Sequence, residues 1–222
     1  MFHINKEKRL FLSIGGAVVS LLVCLVVLGA SRAAAGAPEA VLQSYVGING
    51  APCAYHDVAS ALIHASDGDT IYVSDVSVTT HTGLVGRIEH DLTFVSAHNN
   101  CQTPSPNTEA YLDGGGLSWA PSGGLAVIST TKTVTFTMIR LRNAHAILRG
   151  GVVHVEPEAQ LVLNDSYVLE GEAGYEGGGV YVSQDANLLM IDSIVDMCET
   201  TRTGTLDGGG GVYVNQGTMT MT

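Results

Sequence analysis

From residue 123 onward the apolar residues fall in short alternating runs: Val134 and Phe136, Leu161 and Leu163, Val180 and Val182, Leu188 and Met190. Alternate residues of a strand point to one face, so each run predicts a short strand with one side buried. No stretch of 123–222 spaces apolar residues three and four apart over a helical length. The runs also recur. Gly123-Gly124 returns at Gly150-Gly151 and at Gly177-Gly178, 27 residues apart each time. At the same offset Val134-Thr135-Phe136 falls on Leu161-Val162-Leu163 and then on Leu188-Leu189-Met190. A fourth block, Gly211-Val212-Tyr213-Val214, copies Gly179-Val180-Tyr181-Val182 after a longer interval, which places five extra residues in the loop between them.

Self-similarity at such a period marks a stacked, quasi-one-dimensional architecture. With two or more short strands and three turns per block, the period suits one full turn of a solenoid whose coils rise by one strand spacing, about 4.8 Å. The expected fold is all-β: a right-handed parallel β-helix of at least five coils. Equivalent residues then share inward columns, Phe136 with Leu163 and Met190, and Val127 with His154 or Val155 and with Tyr181 or Val182. The glycine pairs read as a corner that every coil must turn. A phosphate-cradling loop would need a helix after the glycines, and a Val-Tyr-Val strand follows instead.

Ahead of the repeat the pattern changes. Apolar side chains take helical spacing in 55–66 and meet an Asp67-Gly68-Asp69 turn signal, which predicts a short amphipathic helix laid across the open end of the solenoid. Residues 36–54, rich in Ala, Gly and Pro, read as a linker. Residues 68–122 form irregular first coils around the strands Thr70-Ile71-Tyr72-Val73 and Leu92-Thr93-Phe94-Val95, and 123–222 form the regular ones. Thr218-Met219-Thr220-Met221-Thr222 reads as a strand left in mid-coil, so the native chain is expected to continue. Residues 1–35 carry Lys6, Lys8 and Arg9, an apolar run from Leu10 to Ala30 and small residues to Ala35, the layout of a secretory signal or of an uncleaved signal anchor.

Export changes the charge. Without Lys6, Glu7, Lys8, Arg9 and Arg32, 6 basic and 20 acidic residues remain, and the net charge moves from -11 to -14. Such a surface does not favour nucleic acid or anionic lipid, which leaves the N-terminal segment as the one route to a membrane. In an oxidising compartment Cys53, Cys101 and Cys198 make an odd set. The preferred pairing is Cys53 with Cys101, with Cys198 free or partnered elsewhere.

The series Ala51-Pro52-Cys53-Ala54-Tyr55-His56-Asp57-Val58-Ala59-Ser60-Ala61-Leu62, then Asp67-Gly68-Asp69-Thr70-Ile71-Tyr72-Val73, a Leu-Thr-Phe-Val strand, a Leu-Asp-Gly-Gly-Gly turn and the Gly-Gly-Val-Tyr-Val coils resembles the secreted, pectin-lyase-like parallel β-helix proteins. The Gly-Gly-Val-Tyr-Val blocks are also similar to part of the repeat of polymorphic outer membrane proteins, a class of surface adhesins. The first resemblance implies polysaccharide cleavage as one activity of the fold, and the second implies adhesion at a cell surface.

Candidate chemistry is sparse. Asp165 and Asp192 share the repeat offset, so they should stack in adjacent coils. Two carboxylates that close suit a shared Ca²⁺, and the pectate lyases that the chain resembles use acidic clusters with Ca²⁺ and an arginine base. Against this, Asn164-Asp165-Ser166 and Ile191-Asp192-Ser193 also read as a bend ladder, where such residues bond to their own backbone. Arg140, Arg142 and Arg149 cluster in one coil as a base, an anion site or an outer charged turn. His154 interrupts an apolar strand as a satisfied or outward side chain. The eight histidines lack zinc-ligand spacing, no serine sits in a nucleophile elbow, and the threonine rank that an ice-binding face needs is broken at Val162 and Asn164. No catalytic residue is assigned, and no cofactor beyond the candidate Ca²⁺. The expected function is an exported, non-catalytic scaffold for adhesion or contact with a polysaccharide or host surface glycan, with a polysaccharide lyase or glycoside hydrolase as the alternative.

Overall fold

The fold is drawn from a computed structural model and described for residues 45–75, 81–82, 85–98, 100–116, 120–202 and 208–222. Residues 1–35, read from the sequence as a secretory signal or signal anchor, lie outside the described residues. The described residues form a parallel β-solenoid built from three sheets.

The first sheet stacks Val46–Ile48, Thr70–Ser74, Leu92–Ala97, Thr133–Thr137, Gln160–Asn164, Asn187–Ile191 and Thr218–Met221. The second stacks His81–Thr82, Ala110–Asp113, Ile139–Arg149, Tyr167–Ala173 and Ile194–Asp196, with Ala120–Ser122 and Glu199–Thr200 paired alongside. The third stacks Gly86–Ile88, Ala126–Ile128, Val153–Val155, Val180–Val182 and Val212–Val214. Among these strands every pair is parallel except Val46–Ile48 on Thr70–Ser74.

The repeat is the register. Thr133 faces Gln160 and Gln160 faces Asn187, and His145 faces Glu172 and then Glu199, each at the constant offset of the sequence repeat. The offset is longer by five at Val180 and Val212 and by four at Asn187 and Thr218, so the insertion falls in sequence between Glu199–Thr200 and Val212–Val214; residues 203–207 lie outside the described set. Inward positions form continuous apolar columns. Ile71, Phe94, Phe136, Leu163 and Met190 lie one above another, all buried, and the rings of Phe94 and Phe136 stack at 4.7 Å. Like side chains stacked at one strand spacing leave no void between layers.

Each coil turns at left-handed residues, and these too are stacked. Thr131, Glu158, Asp185 and Gln216 form one column, Met138, Asp165 and Asp192 a second, Asn143, Glu170 and Met197 a third, and Gly123, Gly150, Gly177 and Gly209 a fourth, all at positive φ. One glycine of the last column and its neighbour show why this corner excludes side chains. A Cβ on Gly150 (φ +62) would sit 2.4 Å from the Val153 carbonyl oxygen, and one on Gly151 would sit 2.0 Å from the Gly178 carbonyl oxygen of the next coil.

Two boundaries differ from the sequence reading. Helix α1 covers Val58–Leu62 only, with Asp57 accepting from the Ser60 N–H as its cap and with Val58 and Ala61 buried against the core. It stops early because Ile63, 80% exposed, has no core to face. The linker reading of 36–54 is corrected for its second half: Val46 is fully buried, and Val46–Ile48 pairs antiparallel with Thr70–Ser74. That strand covers the edge that would otherwise be open at this end of the first sheet. Residues 36–44 lie outside the described set. The Cys53–Cys101 disulfide, with a sequence separation of 48, ties this cover to the second coil, and Cys198 is free.

The corner geometry predicts an asymmetric response to added methyl groups. Gly151→Ala should lose at least ~3 kcal/mol, because the new Cβ meets the backbone of both Glu172 and Gly178, whereas Gly68→Ala, with open space around it, should lose about 1 kcal/mol from its positive φ alone. Urea denaturation of the two variants compares them directly.

Candidate functional site

Asp165 and Asp192 do stack at one corner, one coil apart, and both are exposed. Their left-handed backbones (φ 46° and 45°) and their N–H groups serve the corner: Met138 N–H donates to Asn164 O, Asp165 N–H to Ile191 O and Asp192 N–H to Thr222 O. The neighbouring serines complete the ladder. Ser166 Oγ accepts from Ile139 N–H and donates to Asn164 O, and Ser166 N–H donates to Ser193 Oγ, which donates to Ile191 O. Among the described residues no three His, Cys, Asp or Glu side chains lie close enough to hold a metal ion. The backbones of both aspartates thus serve the corner, in a left-handed conformation that Asp tolerates.

The three arginines separate. Arg140 and Arg142 stand on the outer face of the second sheet, where strand pleating turns Tyr111, Arg140, Tyr167 and Ile194 outward in one column and Asp113, Arg142, Leu169 and Asp196 in the next. Beyond the left-handed bend a third column holds His145, Glu172 and Glu199. The Arg140 guanidinium lies 5.4 Å from the Tyr111 ring and 4.7 Å from the Tyr167 ring, and Arg142 lies 5.0 Å from Tyr111. Arg140 Nε donates to Glu109, and Arg142 Nε donates to Asp113 at 2.9 Å. Asp113, 6% exposed, accepts further from Asn143 Nδ2 and Gly115 N–H, so its burial is fully compensated. Burial works against the charge on Arg140, but its hydrogen bond and attraction to Glu109 outweigh that and raise its pKa. His145 Nδ1 lies 2.7 Å from Glu172.

Arg149 instead reaches the third sheet, 5.0 Å over the Tyr181 ring, and pairs with Glu176 at 2.7 Å. There Val127, His154, Tyr181 and Tyr213 form a column on the outer face, which corrects the reading of Val127 as inward; Ile128, Val155, Val182 and Val214 face the core side. With apolar residues on both faces of Ala126–Ile128, alternation could not say which face was inner. His154 meets the Tyr181 ring edge-on at 5.0 Å, and Tyr181 and Tyr213 stack at 5.7 Å. His154 Nε2 lies 3.0 Å from Ser183 Oγ, while its buried Nδ1 has no partner. Burial pushes this imidazole down to about 4, with Arg149 and Arg87 adding to the effect against the opposing pull of Glu156, so His154 is neutral at physiological pH. Arg87 grips Glu156 through two bonds of 2.6 Å, and that grip holds the carboxyl below its ordinary range.

All the described lysines and arginines are thus engaged: Lys132 pairs with Asp67, and Arg202 packs on and bonds to Tyr175. Sequence reasoning missed the tyrosine and carboxylate partners of Arg140 and Arg142. Tyr167 follows from the repeat offset, whereas Tyr111 and Asp113 lie two positions outside it. Cys198 is half-buried and burial pushes its thiol up, so it is a weak nucleophile. No family model, curated protein or solved structure matches the chain.

Two measurements test these assignments. If the aspartates serve only the corner, Asp192→Asn should change stability by no more than about 0.5 kcal/mol, since Asn is equally at home there, and Ca²⁺ should leave the melting temperature of both proteins unmoved. For His154, the unfolded imidazole binds a proton between pH 6.5 and about 4 while the folded one does not. Its contribution is complete above pH 6.5 and falls as the pH drops toward 4, by up to about 3 kcal/mol. His154→Val should flatten the urea midpoint across that window.

Proposed function

We propose that the protein is an exported, non-catalytic β-helix scaffold, secreted or at a cell surface, that contacts glycan through the outer face of its second sheet. The observation that carries this reading is the Tyr111–Arg140–Tyr167 stack on a sheet face with its charges already paired. Half-exposed tyrosines offer flat apolar area with a hydroxyl at the rim, the surface that a sugar ring meets best. The Cys53–Cys101 bridge suits the oxidising compartment that the N-terminal segment implies.

The lyase alternative needs an arginine that gives up its proton. Arg140 is ion-paired with Glu109 and Arg142 with Asp113, which occupies both guanidinium groups and works against that role. The test is retention on immobilised polysaccharides. The protein should bind at least one glycan, and Tyr167→Ala should weaken that binding by up to about tenfold. Failure to bind any glycan, or cleavage of a uronate polymer with or without Ca²⁺, would overturn the reading.

A further inference from the structure

The outer face of the second sheet is electrically uneven along the solenoid axis. In the coils of Ala110–Asp113 and Ile139–Arg149, Arg140 and Arg142 are matched by Glu109 and Asp113. In the two coils that follow, the same face carries Glu170, Glu172, Asp196 and Glu199, and the chain has no lysine or arginine between Arg149 and Arg202. His145 partners Glu172, but among the described residues no cation lies within ion-pair distance of Glu170, Asp196 or Glu199. The face is also apolar there. Tyr167 and Leu169 are half-exposed, Ile194 is 48% exposed, and Met197 is 62% exposed at the bend.

Apolar side chains standing between uncompensated carboxylates complement a ligand that is flat and apolar on its ring faces and cationic at its rim. Resting on the reading of this sheet as a glycan-contact face, we infer that its occupant is an amine-bearing glycan, a polymer of amino sugars with free amino groups, lying over Tyr167, Leu169 and Ile194 with its ammonium groups on Glu170, Asp196 and Glu199. A uronate polymer would bring negative charge to a face whose few cations are already paired. A neutral glycan would find the apolar platform but leave the carboxylates unmatched. Exposed pairs of this kind are individually weak, so the selectivity comes from several acting together and is screened by salt.

The experiment measures binding of the full chain to chitosan, to its fully N-acetylated neutral counterpart and to polygalacturonate, at a mildly acidic pH where amines and carboxylates are both charged. Chitosan should bind about tenfold more tightly than the neutral polymer, as three exposed ion pairs allow, and lose that advantage in high salt. Polygalacturonate should not bind. The double variant Asp196→Asn, Glu199→Gln, isosteric at two exposed positions and checked for folding by circular dichroism, should bring chitosan down toward the neutral polymer. Equal binding of the charged and neutral polymers, or an unchanged preference in the folded double variant, overturns the inference and leaves glycan contact standing. Polylysine that binds more tightly than chitosan and displaces it also overturns it, in favour of a basic polypeptide. Absence of binding to all three glycans removes the glycan-contact reading itself.

Discussion

Everything in this molecule depends on the backbone ladder that locks one coil onto the next. A parallel ladder tolerates no slippage, because a shift of one residue would turn every inward side chain outward. Each coil must therefore return to the same point after the same path, and it does so by bending at left-handed residues stacked in columns: Thr131 to Gln216, Met138 to Asp192, Asn143 to Met197 and Gly123 to Gly209. Where the path lengthens, between Thr200 and Val212, the pairing of Val180–Val182 with Val212–Val214 is intact.

The corners also decide where polar chemistry sits. Glycine alone fits at Gly150, against its own turn, and at Gly151, where coil packs on coil. At the other bends ordinary residues are held left-handed, including Met138, Glu170 and Met197, which gain nothing locally from that conformation. The strain of about 1 kcal/mol or more at each is imposed by the ladder bonds on either side, such as Met138 N–H to Asn164 O and Asp165 N–H to Ile191 O. Asp tolerates such a bend better than Met, so Asp165 over Asp192 suits the corner that Met138 also occupies.

The sequence made the period legible because equal coil length is a requirement that leaves its mark residue by residue. Where coils are equal, the offset correctly stacks Phe136, Leu163 and Met190, and it places Tyr167 on Arg140. Where they are not, it fails: Tyr111 and Asp113 precede their partners by two positions more than the repeat, and the antiparallel Val46–Ile48 belongs to no coil. In three-residue strands such as Ala126–Ile128, both faces are apolar because the outer one is itself covered by side chains, so hydrophobicity could not separate Val127 from Ile128. The pairing of Arg142 with Asp113 was invisible for the same reason as its register.

Parallel stacking has an electrostatic consequence of its own. A residue type repeated at one position stands about 4.8 Å from its copy, so a repeated charge repels itself along the axis. The chain avoids this in its earlier coils by changing chemistry from layer to layer: Tyr111, Arg140, Tyr167 in one column and Asp113, Arg142, Leu169 in the next. In its later coils it does not avoid it. Glu172 faces Glu199 directly, and Glu158 and Asp185 occupy equivalent bends as Asp165 and Asp192 do. Among the described residues, only Glu172 in those columns has an ion partner, His145. On a frame whose core must repeat, the unrepeated outer charge is what makes one stretch of the solenoid chemically different from another.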